Sequence, residues 1–265
     1  MKAVILAGGK GTRLAPYTKI LPKPLMPIGD MPILEILLRQ LARSGVDEVI
    51  LTVGHLAQLL CTFFQDGRRY GLKIHYSFEE KPLGTAGPLS LLPDMDETFI
   101  VTNGDVLTTL SLSELLAYHH AHGGIATIAS HHRNVRIDLG VIQANQEDEI
   151  VGYLEKPCTD YRVSMGIYIF EPAILDYIAY NQYLDLPDLV LKLINANERV
   201  MSYPFDGYWM DLGRMEDYEQ AVTEFEQLKG QILGDEFEQP GSYLLEEYPP
   251  VNINHVGIRA AKRER

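Results

Sequence analysis

The sequence predicts an α/β fold built on a doubly wound sheet. Short apolar runs alternate with segments of helical periodicity from residue 2 to residue 122, which is typical of strands joined by crossover helices. The first run, KAVILA at residues 2–7, is rich in branched residues and is bounded by Gly8 and Gly9, as a buried parallel strand should be. After about residue 124 the strand-like runs follow one another without long helices. We therefore expect a smaller β-rich subregion joined to the same sheet.

Each predicted element follows from its local pattern. The predicted strands cover residues 2–7, 48–54, 72–78, 99–105, 125–130, 138–143, 150–154 and 164–170. The predicted helices cover residues 32–44, 56–65, 111–122, 172–180, 187–196 and 214–229. The segment 8–29 is too rich in glycine and proline for a helix. Beyond residue 230 the pattern fades, so we expect one domain over residues 1–229 and a C-terminal extension over residues 230–265.

Composition and charge exclude several classes of function. The 265 residues carry a formal net charge of −13, with 46% hydrophobic and 22% charged residues, as in an ordinary globular protein. Such an acidic chain disfavours nucleic acid or a membrane surface as the main partner. No apolar run is long enough to cross a bilayer, the start lacks a signal-peptide pattern, and two cysteines cannot form a disulfide framework. We expect a cytoplasmic protein.

One segment departs from this acidic average. Residues 1–29 contain five basic residues and no Asp or Glu, the basic residues being Lys2, Lys10, Arg13, Lys19 and Lys23. A cationic segment in an anionic protein indicates either a solvated basic surface or a site for a small anionic ligand. The residues around it favour the ligand.

The glycine-rich loop after the first predicted strand suits phosphate, and its spacing separates three interpretations. A P-loop requires Ser or Thr directly after Gly-Lys, whereas glycine follows that pair here. A dinucleotide-binding pattern starting at Gly9 and Gly11 fails because its third position is Leu14. What remains is a loop whose glycines let backbone N–H groups approach phosphates closely, with Arg13 and Lys23 as fixed charges.

Residues 8–28 read GGKGTRLAPYTKILPKPLMPI, and this segment resembles the signature GGxGTRLxPxTxxxPKPLxPI of the sugar-1-phosphate nucleotidylyltransferases. Every defined position matches. Further matches follow in the family's order: LGTAGPL (83–89), NGD (103–105), EKP (155–157), GIYIF (166–170) and YWMDLGRMEDY (208–218). The resemblance covers roughly residues 1–229. It implies a Rossmann-like, doubly wound mixed sheet whose smaller β-rich subregion binds a sugar.

The resemblance also implies a reaction. A sugar 1-phosphate attacks the α-phosphorus of a nucleoside triphosphate, and pyrophosphate leaves. The attacking phosphate is largely dianionic near neutral pH, since its second pKa is about 6, so no general base is required. The barrier lies in bringing two anions together, which calls for positioning, cations and metal. Arg13 is expected to hold the triphosphate and counter the charge of the leaving pyrophosphate, and Lys23 to lie near the α-phosphate.

The same resemblance implies a magnesium site and two groups of binding residues. Asp105 and Asp211 are expected to hold Mg²⁺, which takes one or two carboxylates together with phosphates and water, and Asp105 joins Arg13 and Lys23 as an expected catalytic residue. The expected nucleotide-binding residues are Ala7, Gly8, Gly9, Gly11, Thr12, Glu79, Gly84 and Thr85. The expected sugar-phosphate-binding residues are Gly140, Glu155, Lys156 and Ser164.

Glu79 indicates which nucleotide base the protein binds. Relatives that bind uracil or thymine tend to carry Gln five residues before the Gly of the LGT-like motif, and Glu79 stands at that distance before Gly84. A carboxylate accepts hydrogen bonds but does not donate them, which suits the N1–H and N2–H₂ of guanine and not the O4 of uracil. The string EEKPLGTAGPL also resembles guanylyltransferases. We therefore predict GTP as the nucleotide.

One departure from the family concerns the sugar. Relatives often have Asn two residues before the Gly of GIY, where this chain has Ser164. Serine offers one short hydroxyl instead of an amide with both donors and acceptors, so this chain lacks the family's amide contact to the sugar at this position. Mannose, glucose, glucosamine and a heptose all stay open.

Two alternatives to a sugar-1-phosphate guanylyltransferase remain. The first keeps the fold and changes the substrate, as in a uridylyl-, thymidylyl- or cytidylyltransferase or an enzyme acting on phosphocholine. The second is a catalytically silent subunit or sensor of nucleotide sugars, which has no need of all five of Arg13, Lys23, Asp105, Lys156 and Asp211. Relatives commonly form dimers or tetramers, so a homo-oligomer is expected.

Overall fold

A seven-stranded mixed sheet forms the centre of the protein, and the computed structural model describes residues 1–234 around it. The strands are β1 (Lys2–Ala7), β2 (Pro27–Ile28), β3 (Met31–Pro32), β4 (Glu48–Val53), β5 (Lys73–Phe78), β6 (Phe99–Asn103), β7 (Val106–Thr108), β8 (Ala126–Arg136), β9 (Val141–Ala144), β10 (Ile150–Leu154), β11 (Cys158–Phe170), β12 (Val200–Phe205) and β13 (Trp209–Asp211). The helices are α1 (Ile33–Arg43), α2 (Ala57–Phe64), α3 (Leu112–His122), α4 (Leu186–Asn195) and α5 (Met215–Leu233).

The order of the strands is that of a doubly wound sheet. It runs β12-β8-β11-β6-β1-β4-β5, so the chain winds outward from β1 to β5 and then returns to β6 on the other side of β1. β1 is parallel to β4 and β6, whereas β11 is antiparallel to β6 and β8. The predicted mixed, Rossmann-like sheet is confirmed. In such sheets a crevice for ligands forms at the carboxyl ends of the strands where the winding reverses, here beside β1.

Both faces of the sheet are covered by helices. Ala3 and Ile5 of β1 belong to the buried cluster that contains the inner faces of α1 and α2, whereas Val4 belongs to the cluster that contains α4. Full burial of a leucine such as Leu34 or Leu38 in α1 contributes about 2 kcal/mol. The alternation along β1 therefore fixes which layer lies on which side of the sheet.

A third apolar cluster holds the glycine-rich segment in place. Leu14 and Ile28 from this segment are completely buried and share a cluster with Leu212 and with Phe225 of α5. Short 3₁₀ turns at Thr12–Leu14, Tyr17–Lys19 and Lys23–Leu25 fold the segment between these anchors. The segment that follows β1 is therefore packed against the C-terminal part of the described chain.

The predicted β-rich subregion is a two-stranded ribbon with a hairpin. β8 and β11 pair over most of their length, but β6 meets only Ile167–Phe170 of β11 and β12 meets only Ala126–His131 of β8. The remainder of both strands extends past the sheet. β9 and β10 form an antiparallel pair of their own.

Some predicted elements differ from the structure. The helix predicted over residues 172–180 is a 3₁₀ turn at Pro172–Tyr177, and the last helix runs to Leu233. β12 was not predicted; it carries Pro204, which is tolerated because β12 is an edge strand. β7 and β13 have three residues each, too few to show a periodicity.

The C-terminal extension predicted over residues 230–265 lies outside the described residues from residue 235 onward. Within residues 1–234, no helix combines the length and the apolar character that crossing a membrane requires.

Candidate active site

A cleft of about 800 Å³ opens at the carboxyl ends of β1, β4 and β6. The strand register places Ala7 opposite Val53 and Leu6 opposite Asn103, so the loops that follow the three strands meet at one edge of the sheet. The predicted residues that line the cleft are Ala7, Gly8, Gly9, Gly11, Arg13, Lys23, Glu79, Gly84, Thr85 and Asp105. Thr12 lies next to them as the first residue of a 3₁₀ turn. A space of this size suits a ligand as large as a nucleotide.

The glycine-rich loop presents backbone amides to this cleft. Among the described residues, no oxygen accepts a hydrogen bond from the amides of Gly9, Lys10 or Gly11. Gly11 has a φ of +60° and packs against Thr18, whose hydroxyl donates to the Gly11 carbonyl at 2.8 Å. The positive φ favours glycine at this position. The loop is therefore held from behind while its N–H groups remain available to anionic oxygens.

Glu79 extends over Gly8. A β-carbon built on Gly8 would lie 2.6 Å from Glu79 Oε1, so glycine is what allows the carboxylate to approach the loop. Glu79 Oε2 accepts a hydrogen bond from the Leu83 amide at 3.0 Å. Burial raises the pKa of the Glu79 carboxyl above its ordinary value, an effect that the Leu83 hydrogen bond partly offsets. One carboxylate oxygen is thus fixed by the protein, and the other lies beside the glycine loop.

Lys23 and Asp105 form an ion pair at the edge of the cleft. The ammonium of Lys23 donates a hydrogen bond to Asp105 Oδ2. Lys23 is only 8% exposed, which is uncommon for a lysine unless it is paired. The glycine-rich segment and the end of β6 are therefore joined by a charge-assisted hydrogen bond.

Asp211 lies beside Asp105 although more than 100 residues separate them. β13 pairs with β7 so that Asp211 faces Val106, and the Leu212 amide donates to the Asp105 carbonyl at 3.1 Å. Burial raises the pKa of the Asp211 carboxyl, the charge of Asp105 raises it further, and the charges of Lys23 and Arg13 lower it. The two carboxylates and two cations therefore occupy one electrostatic site.

Arg13 and Asp211 both lie beside Gly213. A β-carbon built on Gly213 would lie 3.1 Å from Asp211 Oδ2 and 3.3 Å from Arg13 Nη1. The absence of a side chain at this position lets the guanidinium and the carboxylate approach the same point. Arg13, Lys23, Asp105 and Asp211 are thus brought together as predicted.

The predicted sugar-phosphate residues lie elsewhere. Glu155 and Lys156 are exposed in the turn between β10 and β11, and the Tyr153 hydroxyl occupies the space that a β-carbon on Gly140 would need. None of these described residues lines the cleft. Their role in sugar binding remains a prediction.

Ser164 makes its hydrogen bonds within the protein. Its hydroxyl donates to the Tyr168 hydroxyl at 3.1 Å and accepts from the Gly166 amide at 3.3 Å. These bonds lie at an irregularity in the pairing of β11 with β8 between Ser164 and Tyr168. The single donor of Ser164 is thus engaged by the protein, so its contribution to sugar binding also remains a prediction.

The sequence analysis missed several residues of the cleft. His55 and Asn103 line it, and the rule that ligands lie beyond strand carboxyl ends could have identified both. Tyr183 and Gly213 also line it, but they come from segments far away in the sequence. No motif or spacing in the sequence around Tyr183 indicates a binding role.

Comparison with known proteins identifies the family. The family model described as nucleotidyl transferase matches residues 2–227. A UTP–glucose-1-phosphate uridylyltransferase of Synechocystis is 39% identical over 244 residues, covering 84% of this chain and 62% of the relative. The catalytic subunit beta of a mannose-1-phosphate guanylyltransferase of Dictyostelium discoideum is 35% identical over 225 residues, covering 82% of this chain and 62% of the relative. The chain thus spans less than two thirds of the length of these relatives.

Solved structures share the fold. HddC from Yersinia pseudotuberculosis complexed with GMP-PN has a TM-score of 0.62 at 24% identity, over 84% of this chain and 99% of that chain. A UDP-glucose pyrophosphorylase complexed with UDP-glucose has a TM-score of 0.65 at 20% identity, over 85% of this chain and 98% of that chain. With the family match over residues 2–227, the conclusion is direct: the chain belongs to the nucleotidyl transferase family.

Proposed function

We propose that this protein transfers a nucleoside monophosphate from a nucleoside triphosphate to a sugar 1-phosphate and releases pyrophosphate. The observation that carries the proposal is the convergence of Lys23, Arg13, Asp105 and Asp211 beside the glycine loop. These groups suit a reaction between two phosphates, which depends on positioning and charge rather than on a covalent intermediate. The named activities of the relatives agree with it.

The chemistry requires no proton acceptor. The phosphate of the sugar is already the nucleophile, and its oxygen attacks the α-phosphorus as the bond to pyrophosphate breaks. The amides of Gly9, Lys10 and Gly11 bind the triphosphate oxygens. Lys23 reduces the repulsion between the two phosphates, and Arg13 stabilises the charge that develops on pyrophosphate. At a separation of about 4 Å and an effective dielectric constant of about 20, each such cation contributes a few kcal/mol.

Asp105 and Asp211 would hold a divalent cation. The two carboxylates are neighbours, and the charge of Asp105 raises the pKa of Asp211. Such a pair suits a hard cation such as Mg²⁺. Mg²⁺ bound by one or two carboxylates completes its shell with phosphates and water. When bound, the cation neutralises charge on the triphosphate.

GTP is the nucleotide we propose, and Glu79 is the reason. Its Oε1 lies beside the glycine loop at the cleft while Oε2 is held by the Leu83 amide. A positioned carboxylate can accept hydrogen bonds from the N1–H and N2–H₂ of guanine. The guanylyltransferase of Dictyostelium supports this choice.

UTP is the second candidate. The Synechocystis relative, at 39% identity, carries the name of a uridylyltransferase. A homo-oligomeric state and a cytoplasmic location are further predictions. The alternative without catalytic activity is a subunit that senses nucleotide sugars.

One experiment separates these outcomes. The full chain is incubated with Mg²⁺ and every combination of four triphosphates with several sugar 1-phosphates, and released pyrophosphate is measured. The proposal predicts release that requires both substrates, with GTP giving the highest kcat/KM. Highest activity with UTP would replace the nucleotide assignment. Binding of a nucleotide sugar without pyrophosphate release from any pair would favour the sensor.

A further inference from the structure

The segment that precedes α4 forms one wall of the cleft. Tyr183 lines the cleft together with Glu79, Gly84 and Thr85, although it lies about 100 residues further along the chain. Tyr183 is 63% exposed, and its hydroxyl donates to Asp185 Oδ2 at 2.6 Å. The orientation of an exposed aromatic side chain at the cleft is thus fixed by a carboxylate two residues away.

Asp185 also holds the opposite loop. Its Oδ1 accepts from the Thr85 amide at 3.0 Å and from the Thr85 hydroxyl at 3.2 Å. The Thr85 hydroxyl in turn accepts from the Leu186 amide at 2.7 Å. Asp185 occupies the N-cap position of α4 but its side chain makes no hydrogen bond to that helix, whereas an aspartate at this position commonly does. Thr85 supplies a cap from outside, and the Asp185 carboxylate is directed to the cleft wall instead.

Backbone hydrogen bonds join the same two segments. The Leu184 amide donates to the Leu83 carbonyl at 3.0 Å, and the Leu184 carbonyl accepts from the amides of Ala86 and Gly87 at 2.8 and 2.9 Å. The Leu83 amide is the donor to Glu79 Oε2. Residue 83 therefore connects the carboxylate beside the glycine loop to the wall that carries Tyr183.

We infer that Tyr183 is a nucleotide-binding residue that contacts the base, and that Asp185 is a positioning residue that holds Tyr183 and Thr85 in register. The inference rests on the proposed function, because the occupant is the planar base of a nucleoside triphosphate. An aromatic ring offers such a base a contact that tolerates different bases, since every base has a π-face. Glu79 then provides the choice among bases, and Tyr183 provides affinity for all of them.

The Glu79 carboxylate and the Tyr183 ring have different roles at this end of the cleft. A hydrogen-bonding carboxylate discriminates between bases by their donors and acceptors, whereas ring contact adds apolar area and little discrimination. Asp185 carries charge-assisted hydrogen bonds, which are stronger than neutral ones. The hydrogen bond from Tyr183 lowers the pKa of Asp185, burial partly opposes this, and the hydrogen bonds from Thr85 lower it further. The carboxylate that fixes this wall therefore stays ionised at neutral pH.

The test measures nucleotide binding separately from turnover. Calorimetric titration with Mg²⁺ and a non-hydrolysable GTP analogue, and then with its UTP counterpart, should show about tenfold weaker binding for Tyr183→Ala with both nucleotides. Tyr180→Ala is the matched control, because Tyr180 is 62% exposed in the same connection but does not line the cleft. It should bind both analogues as the unchanged protein does.

Asp185→Asn tests the positioning role. The variant should bind both nucleotide analogues about three- to tenfold more weakly. It should also raise KM for the triphosphate, while KM for the sugar 1-phosphate changes less than about twofold. Asp188→Asn, in the first turn of α4, is its control and should change neither nucleotide binding nor the two KM values. Tyr183→Phe keeps the ring and should bind more tightly than Tyr183→Ala.

Three results would overturn the inference, and each is distinguishable from the others. If the unchanged protein transfers nucleotides and Tyr183→Ala binds both analogues normally, Tyr183 does not contact the base and only this inference fails. If the unchanged protein binds no triphosphate at all, the proposed function fails and this inference with it. Equal losses for Tyr180→Ala and Tyr183→Ala would also overturn the assignment to Tyr183.

Discussion

The ammonium of Lys23 is hydrogen-bonded to Asp105, across 82 residues of sequence. Lys23 comes from the segment that follows β1, and Asp105 from the turn that follows β6. The two strands are parallel neighbours in the sheet, so their carboxyl ends bring both side chains to one edge. This pair joins the cationic part of the site to its acidic part.

Lys23→Met should lower kcat strongly. The change keeps a chain of similar length and removes the charge, so the loss of stabilisation in the transition state should reduce kcat by about 100- to 1,000-fold, the effect typical of removing one such electrostatic group. Steady-state pyrophosphate release measures it. Lys19→Met removes an exposed charge from a neighbouring 3₁₀ turn, and its kcat should stay within about twofold. Similar losses in both variants would show that net charge matters rather than position.

Asp105→Asn and Asp211→Asn should change stability in opposite directions without metal. Asp105→Asn leaves the buried Lys23 without its anionic partner and should lower the free energy of unfolding by about 1–3 kcal/mol. Asp211→Asn removes a carboxyl whose pKa is raised by burial and by Asp105, so it should stabilise the protein at pH 7. Urea unfolding in the presence of a chelator measures both changes.

The Asp211 effect should depend on pH. Because the folded protein raises the pKa of this carboxyl, its ionisation destabilises the folded state above that pKa. The advantage of Asp211→Asn should therefore be full at neutral pH and should disappear as the pH falls below about 4, where the carboxyl is protonated in both states. An advantage that grows on acidification would have the wrong sign for this explanation.

Glu79→Gln should change the preferred nucleotide. An amide can donate to the O4 of uracil and can still accept from the Leu83 amide. The ratio of kcat/KM for GTP to that for UTP should fall by about tenfold or more. Glu80→Gln removes a neighbouring charge that also lines the cleft and should leave the ratio unchanged. An unaltered ranking of nucleotides in Glu79→Gln would remove the basis for proposing GTP.

Gly84→Ala should destabilise the protein more than Gly45→Ala. Both glycines have a positive φ, of +78° and +80°, but a β-carbon on Gly84 would lie 2.6 Å from the Leu184 carbonyl oxygen, whereas nothing lies within 4 Å at Gly45. Gly45→Ala should cost about 1 kcal/mol through backbone strain, and Gly84→Ala about 1–3 kcal/mol more through the collision. Urea unfolding measures both. Equal costs would show that the contact between residues 83–87 and residues 183–186 is loose.

Much of the fold and part of the site could be predicted from local pattern. Strand and helix alternation predicted the doubly wound sheet, and the motifs that contain Arg13, Lys23, Asp105 and Asp211 predicted residues that the structure brings together. Edge strand β12 and three-residue strands β7 and β13 carry too weak a periodicity to predict.

The remaining site residues depend on long-range packing. Tyr183 reaches the cleft, and Asp185 reaches Tyr183 and Thr85 in its wall, because α4 packs on the sheet beside residues 83–87. No sequence spacing predicts that contact. The hydroxyl of Ser164 is engaged by Tyr168 at an irregularity in the strand pairing, which pattern alone does not show. Local motifs identify chemical groups, whereas tertiary packing decides their partners.

The most direct test asks whether Asp105 and Asp211 hold one shared ion. Mn²⁺ replaces Mg²⁺, and electron paramagnetic resonance counts the metal bound with a non-hydrolysable triphosphate by the unchanged protein, by Asp105→Asn and by Asp211→Asn. A shared site predicts one nucleotide-dependent ion per chain, weakened by about tenfold or more in either variant. Normal Mn²⁺ binding by either variant would contradict the shared site and with it the proposed mechanism.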